Sequence, residues 1–159
     1  MERANAILTH PLFIEKLKLV NKLEEGRVFC GHGMEHLLDV ARIAHILNLE
    51  AGTAAFPREL IYAAALLHDI GRARQYEDGT PHEAESARLA AVILTGCGFD
   101  VAESELILDA ILAHRTKFSG GRTDFAWLLY RADKLSRRCF ECAAMSGCNW
   151  ELKNIRLEC

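Results

Sequence analysis

The chain has 159 residues, of which 50% are hydrophobic and 26% are charged, and its formal net charge is −3. This length and composition favour one globular domain, and the scattered basic residues argue against a long nucleic acid as the partner. The sequence has no uninterrupted apolar run of 18 residues and no recognisable secretory signal. We therefore expect a cytoplasmic protein that makes no membrane contact.

Apolar residues recur at spacings of three and four along most of the chain, which predicts an all-α protein. We expect a compact bundle of about six helices, over 11–24, 34–49, 57–70, 81–94, 101–114 and 124–138. Pro57 and Pro81 suit the first turn of a helix, and Thr80 with Glu83 has the spacing of a capping box. The segments 72–82 and 115–124 are expected to be loops that shape the entry to a pocket.

Several histidines and aspartates lie among apolar residues. His36, His114 and Asp133 each share a helical face with apolar residues, so their side chains are predicted to face the core. His68 and Asp69 follow directly on the apolar run in AAALLHDIGR (63–72). One buried histidine is typical of an ordinary hydrogen-bonded core residue, but several buried imidazoles and carboxylates are costly unless a cation binds them. The pattern therefore predicts a metal site.

Three segments carry a resemblance to a known family. EHLLDVARIA, ALLHDIGR and LLYRADKLS, in this order, resemble the HD superfamily of metal-dependent phosphohydrolases. The resemblance implies one HD domain over 1–159, with its core at about 30–138 and a cysteine-rich tail at 139–159. Some branches of the superfamily hold one metal and others hold two. This sequence is similar to the dinuclear branches, and the ligands that the resemblance implies are His36, His68, Asp69 and Asp133 for one metal and His82 and His114 for the second, with Asp69 as the bridge.

The ligand types and the resemblance together indicate the chemistry. Imidazole and carboxylate ligands suit iron, manganese, cobalt, nickel or zinc. The resemblance implies hydrolysis of a phosphoester or phosphoanhydride bond in a small phosphorylated substrate, with a nucleotide as the expected case, by attack of metal-activated water. An HD-type di-iron oxygenase with the same ligands is the alternative, and a non-catalytic nucleotide-binding or regulatory domain is the second alternative. The oligomeric state is not predicted.

Basic residues near the ligands are candidates for substrate binding. Arg72 stands where many HD proteins carry lysine, so Asp69 and Arg72 are expected to be catalytic. Arg72 and Arg115 are expected to bind the substrate phosphate, because a guanidinium fork suits phosphate. An ordinary solvated loop is favoured for Lys117 and Arg122. The general-acid glutamate of one nucleotidase branch is not carried over, because its position is Arg72. His32 is expected at a helix entrance, where it lines the pocket.

Four of the six cysteines lie within the tail at 139–159. The Cys139-x-x-Cys142 pair with Cys148 nearby suggests an additional zinc or iron–sulfur site. However, the second C-x-x-C pair of a zinc ribbon is missing, so buried or unreactive thiols are the favoured interpretation. The pair is also compatible with one face of the last predicted helix.

Overall fold

The computed structural model describes residues 1–51, 55–116, 124–150 and 153–156. Within these ranges the chain forms eight α-helices and two short 3₁₀ turns, with no strand, which confirms the predicted all-α fold. The helices are α1 (Glu2–Thr9), α2 (Pro11–Leu23), α3 (Met34–Glu50), α4 (Arg58–Leu67), α5 (Arg72–Asp78), α6 (His82–Gly96), α7 (Val101–Ala113) and α8 (Phe125–Leu135). None of the described helices is long and apolar enough to span a membrane.

Two helices were not predicted. α5 occupies most of the segment that was expected to be a loop, and α1 precedes the first predicted helix. Both are too short for a clear apolar period: α5 has seven residues, and α1 buries only Ala4 and Ile7. The six predicted helices are present; three of them begin at the predicted residue, and the other ends differ from the prediction by one to three residues. Most of the predicted loop at 115–124, residues 117–123, lies outside the described residues.

The predicted capping box before α6 is wrong. The Thr80 hydroxyl donates to Oδ1 of Asp78 at 2.7 Å, so the Thr80–Glu83 pair does not cap the helix. A capping box is found instead at the start of α7, where Asp100 and Glu103 each accept a hydrogen bond from the other's backbone N–H. The spacing of the two pairs is the same, so the sequence does not distinguish them.

The helix α4 lies at the centre of the bundle and packs against α1, α3 and α7. Its alanines Ala63, Ala64 and Ala65 and the following Leu66 and Leu67 are all buried. Because alanine side chains are small, neighbouring helices can approach α4 closely on several sides. The polar residues that follow α4 are therefore carried into the middle of the protein.

The segment that follows α8 is attached to the end of that helix. The side-chain amide of Asn154 donates to the carbonyl oxygens of Leu135 and Arg137, at 2.7 and 2.8 Å. Carbonyl groups at the end of a helix have no partner within the helix, so this contact satisfies that of Leu135, the last residue of α8, together with the carbonyl of Arg137 just beyond it. The tail is thereby held close to the end of α8 that carries Asp133.

Candidate metal centre

Asp69 and three other predicted ligands form one group on the side of Asp69 where its Oδ2 lies. Oδ2 of Asp69 lies 3.5 Å from Nε2 of His36 and 3.3 Å from Nε2 of His68. Oδ1 of Asp133 lies 3.5 Å from the same His36 nitrogen. The side chains come from α3, from the turn between α4 and α5, and from α8. Together they form a group whose ligand atoms all lie within 4.8 Å of one another.

The other oxygen of Asp69 faces a second group. Oδ1 lies 3.1 Å from Nε2 of His82, at the start of α6, and 3.7 Å from Nε2 of His114, just after α7. The two imidazole nitrogens are 3.1 Å apart. The structure thus brings all six predicted ligands together, and it places one carboxylate oxygen of Asp69 toward each group.

The centre is almost fully enclosed, and some of its polar atoms lack partners. Five of the six ligand side chains are no more than 3% exposed, and His36 is 10% exposed. Nε2 of His36, Nε2 of His68 and Oδ2 of Asp69 are buried without a hydrogen-bond partner. Leaving such atoms unpaired in a protein interior is costly, and a cation among them removes the cost. The residues present therefore fit a bound metal.

Two of the imidazoles are oriented by backbone carbonyls. Nδ1 of His68 donates to the carbonyl oxygen of Ala65 at 2.7 Å, and Nδ1 of His114 donates to that of Ile111 at 2.6 Å. In each case the carbonyl lies three residues earlier, in the last turn of the preceding helix. A proton held on Nδ1 leaves the lone pair of Nε2 free to bind a metal.

The other two imidazoles are oriented by side chains. Nδ1 of His82 donates to Oε1 of Gln75 at 2.8 Å. Nδ1 of His36 donates to the hydroxyl of Ser136 at 3.3 Å, and this hydroxyl donates to the carbonyl oxygen of Asp133 at 2.8 Å. All four histidines therefore present the same nitrogen, Nε2, to the centre.

Cations keep both carboxylates ionised. Burial alone raises the pKa of Asp133, but Arg137, 3.0 Å away, and Lys134 together hold it well below its usual value. Burial likewise raises the pKa of Asp69, but the neighbouring His68 imidazole and then the Arg72 guanidinium, 3.0 Å away, lower it strongly overall. Arg137 was not identified from the sequence. It lies four residues after Asp133, so it projects from the same side of the chain.

A pair formed by His32 and Glu24 lies beside the metal centre. His32 is buried, its Nε2 lies 3.9 Å from Oδ2 of Asp69, and its Nδ1 donates to the carboxylate of Glu24 at 2.5 Å. The Tyr76 hydroxyl donates to the same Glu24 oxygen at 2.6 Å. The prediction that His32 lines the pocket is confirmed. Glu24 and Tyr76 were missed, because only the tertiary fold brings them to His32.

Arg72 and Arg115, the two residues predicted to bind the substrate phosphate, lie in different surroundings. Nε of Arg72 donates to Asp69, and its Nη1 donates to Oε1 of Gln75 at 3.2 Å. Arg115 is 50% exposed and lies 3.4 Å from Glu83 on α6. Its role in phosphate binding stays a prediction. The loop residues at 117 and 122 lie outside the described part of the chain.

The predicted additional zinc or iron–sulfur site is not formed by the described cysteines. Cys139 is buried in a 3₁₀ turn, while Cys142 and Cys148 are half-buried. Cys142 and Cys148 line two different cavities, and within the described ranges no cysteine joins a group of potential metal ligands. The described residues thus give no support to the less favoured metal site and agree with the favoured interpretation of buried or unreactive thiols, and Cys159 lies outside the described ranges. α8 ends at Leu135, so the cysteines do not lie on the last helix either.

Comparisons with known proteins agree with this geometry. The family model described as HD domain matches residues 33–138. An uncharacterized protein from Clostridium beijerinckii is 46% identical over 159 residues, which is 99% of each chain. Ribonuclease Y from Thermoanaerobacter pseudethanolicus is 30% identical over 135 residues, 85% of this chain but 24% of that protein. Ribonuclease Y from Clostridium kluyveri is 30% identical over 66% of this chain and 18% of that protein. No solved structure gives a significant match.

Proposed function

Because this chain belongs to the HD domain family, we propose that it is a metal-dependent phosphohydrolase. It cleaves a phosphoester or phosphoanhydride bond in a small phosphorylated substrate, with a nucleotide as the expected case. The observation that carries this proposal is the arrangement around Asp69, whose two carboxylate oxygens face two separate groups of imidazoles.

Two divalent metals fit this arrangement. His36, His68, Asp69 and Asp133 would hold one ion, and Asp69, His82 and His114 would hold the other. The nitrogen and oxygen ligands suit iron, manganese, cobalt, nickel or zinc. When bound, such ions supply an acidified water as the nucleophile and stabilise the negative charge of the transferring phosphoryl group.

The protein's own residues orient the substrate and the ligands. Arg72 is held in place by Asp69 and Gln75, and it also lines a cavity beside the metal centre. Its guanidinium is therefore fixed where it can bind a phosphate oxygen next to the metals. The hydrogen bonds that Nδ1 of each of the four histidines donates keep the imidazoles in a fixed orientation. The ligands therefore need not reorient during the reaction.

One observation supports phosphate ester chemistry, and another supports a small substrate. The relatives named Ribonuclease Y act on RNA by their name, which supports phosphate ester chemistry, but this chain spans a quarter of their length or less. Two cavities beside the metal centre, both lined by residues within the described ranges, have volumes of about 460 and 370 Å³. These volumes lie in the range of small-molecule sites, roughly 300–1,000 Å³.

The test combines metal analysis with phosphate release. The metal-loaded protein is incubated with nucleoside mono-, di- and triphosphates and with dinucleotides, both in air and without oxygen. We expect phosphate release in both conditions, and loss of both metal and activity in His68→Ala and Asp69→Ala. His45→Ala removes a histidine away from the centre and should retain both.

Two results would contradict the proposal. One is phosphate release that persists after the metal has been removed. The other is substrate turnover that requires oxygen and releases no phosphate, which would favour the di-iron oxygenase.

A further inference from the structure

Among the described residues, two cavities lie beside the metal centre, and their lining residues differ in charge. The first, of about 460 Å³, is lined by the acidic residues Glu35, Asp39 and Glu141, by Arg138, and by Arg137, which lines the second cavity as well. Arg138 is already paired with Glu35 at 2.9 Å and with Glu141 at 3.1 Å. This acidic cavity therefore offers little free positive charge to an anionic ligand.

The second cavity, of about 370 Å³, is basic. It is lined by Arg27, Arg72 and Arg137 and by His32, and no aspartate or glutamate is among its described lining residues. Arg72 and Arg137 each use part of their guanidinium on a carboxylate outside the cavity lining, Asp69 and Asp133 respectively, and the cavity itself supplies no carboxylate acceptor among its described lining residues. We refer to this space as the basic cavity.

Arg137 supplies an independent sign of a missing ligand. Its side chain is only 7% exposed, and one of its nitrogens, Nη2, donates to Asp133. Its Nε is buried and has no hydrogen-bond partner. A buried guanidinium N–H without an acceptor is costly, and an oxyanion in the basic cavity would satisfy it.

Arg27 differs from the other two arginines of the cavity in its contacts. Arg72 and Arg137 each donate to a predicted metal ligand, whereas Arg27 donates from Nε to the carbonyl oxygen of Cys30 at 3.0 Å. The guanidinium of Arg27 also lies 5.7 Å from the centre of the Tyr76 ring. Arg27 is also exposed, whereas Arg137 is buried.

We propose that the basic cavity binds a second oxyanion of the substrate, carried beside the phosphoryl group that is cleaved, and that Arg27 selects for it. This inference rests on the proposed function, because it assumes that the reacting phosphoryl group lies at the metal centre. Arg27 and the lining segment 147–150 lie outside the family match at 33–138.

The test uses a matched pair of ligands that are not hydrolysed. Phosphonoacetate and isobutylphosphonate have nearly the same shape, but the first carries a carboxylate where the second carries two methyl groups. Binding of each to the metal-loaded protein is measured by calorimetry. We expect wild type to bind phosphonoacetate about tenfold more tightly, the size of one charge-assisted hydrogen bond near the surface.

Two variants test the role of Arg27. Arg27→Gln should lose the preference for phosphonoacetate while its affinity for isobutylphosphonate stays unchanged. Arg88→Gln is the control, because Arg88 is 65% exposed on α6, where it pairs with Glu85. It should behave as wild type. Methylenediphosphonate, measured in the same series, distinguishes a phosphate from a carboxylate as the better second group.

Equal binding of the two matched ligands by wild type would overturn the inference, and so would a preference that persists in Arg27→Gln. Elemental analysis after each titration verifies that the ligands have not removed metal from the protein. Because the ligands are not substrates, a protein without phosphatase activity would refute the proposed function and leave this binding result intact. Phosphatase activity with no preference would refute the inference alone.

Discussion

The change Gly71→Ala tests how closely the ligand-bearing elements must pack. Gly71 has a φ of −83°, which any residue adopts, so space rather than backbone conformation requires glycine here. A Cβ at this position would lie 2.4 Å from the backbone nitrogen of Ser86 and 2.6 Å from the carbonyl oxygen of His82. Both are backbone atoms of α6, which cannot rotate away as a side chain can.

The cost can be estimated from these distances. Ordinary contact begins at 3.4 Å, so α6 and the turn before α5 must separate by about 1 Å. Overpacking of this kind costs about 1–3 kcal/mol. The N–H of Gly71 also donates to the buried Ser86 hydroxyl at 2.9 Å, and weakening that bond adds about 1 kcal/mol. We expect the free energy of unfolding to fall by about 2–4 kcal/mol.

The same displacement should affect metal binding. It moves His82 away from Asp69, where Nε2 and Oδ1 are now 3.1 Å apart. Metal sites tolerate deviations of only about 0.2 Å in ligand distance, so the second metal should be lost before the first. Urea denaturation and elemental analysis measure the two effects. Gly147→Ala is the control, because a Cβ there meets nothing within 4 Å. An unfolding free energy and a metal content equal to wild type in Gly71→Ala would refute this reasoning.

Three further predictions concern the replacement of one polar side chain each. Gln75→Leu removes the acceptor that orients His82, so affinity for the second metal should fall roughly 10–100-fold in a competition titration; unchanged affinity would contradict this. Asn48→Ala removes two hydrogen bonds to the backbone of Phe56, at 3.0 and 3.1 Å, and should lower the unfolding free energy by about 1–3 kcal/mol with unchanged metal content. Burial raises the pKa of Glu24, but hydrogen bonds from its imidazole and phenol partners lower it overall, from 4.5 to about 2. Its stabilising contribution is present above pH 4.5 and is lost as the pH falls through 2, so Glu24→Gln should flatten the loss of stability over this window; an identical pH profile would contradict this.

The sequence predicts most of the helices because their apolar residues repeat over three or more turns. It also predicts the six residues that meet at the centre, because buried imidazoles and carboxylates are rare and their local sequence resembles a known family. α5 could not be predicted, since seven residues hold too few apolar positions to show a period. The capping box was predicted at the wrong place for another reason. The Thr80–Glu83 and Asp100–Glu103 pairs have equal spacing, and only the folded backbone shows which of them caps a helix.

The residues around the ligands depend on tertiary contacts. Glu24 and His32 come from separate segments, and no local pattern links them. Arg137 could have been proposed from its spacing to Asp133, but a charged residue at the end of a helix is usually solvated. Its buried, unpartnered Nε becomes visible only in the structure.

The most direct test of the account is the metal content per chain, measured by elemental analysis on protein purified without added metal or chelator. The account predicts about two divalent transition metals per chain in wild type and about one in His82→Ala, because Asp69 faces two separate ligand groups. A value of about one in both proteins would contradict the dinuclear centre and leave His82 and His114 as ordinary pocket residues.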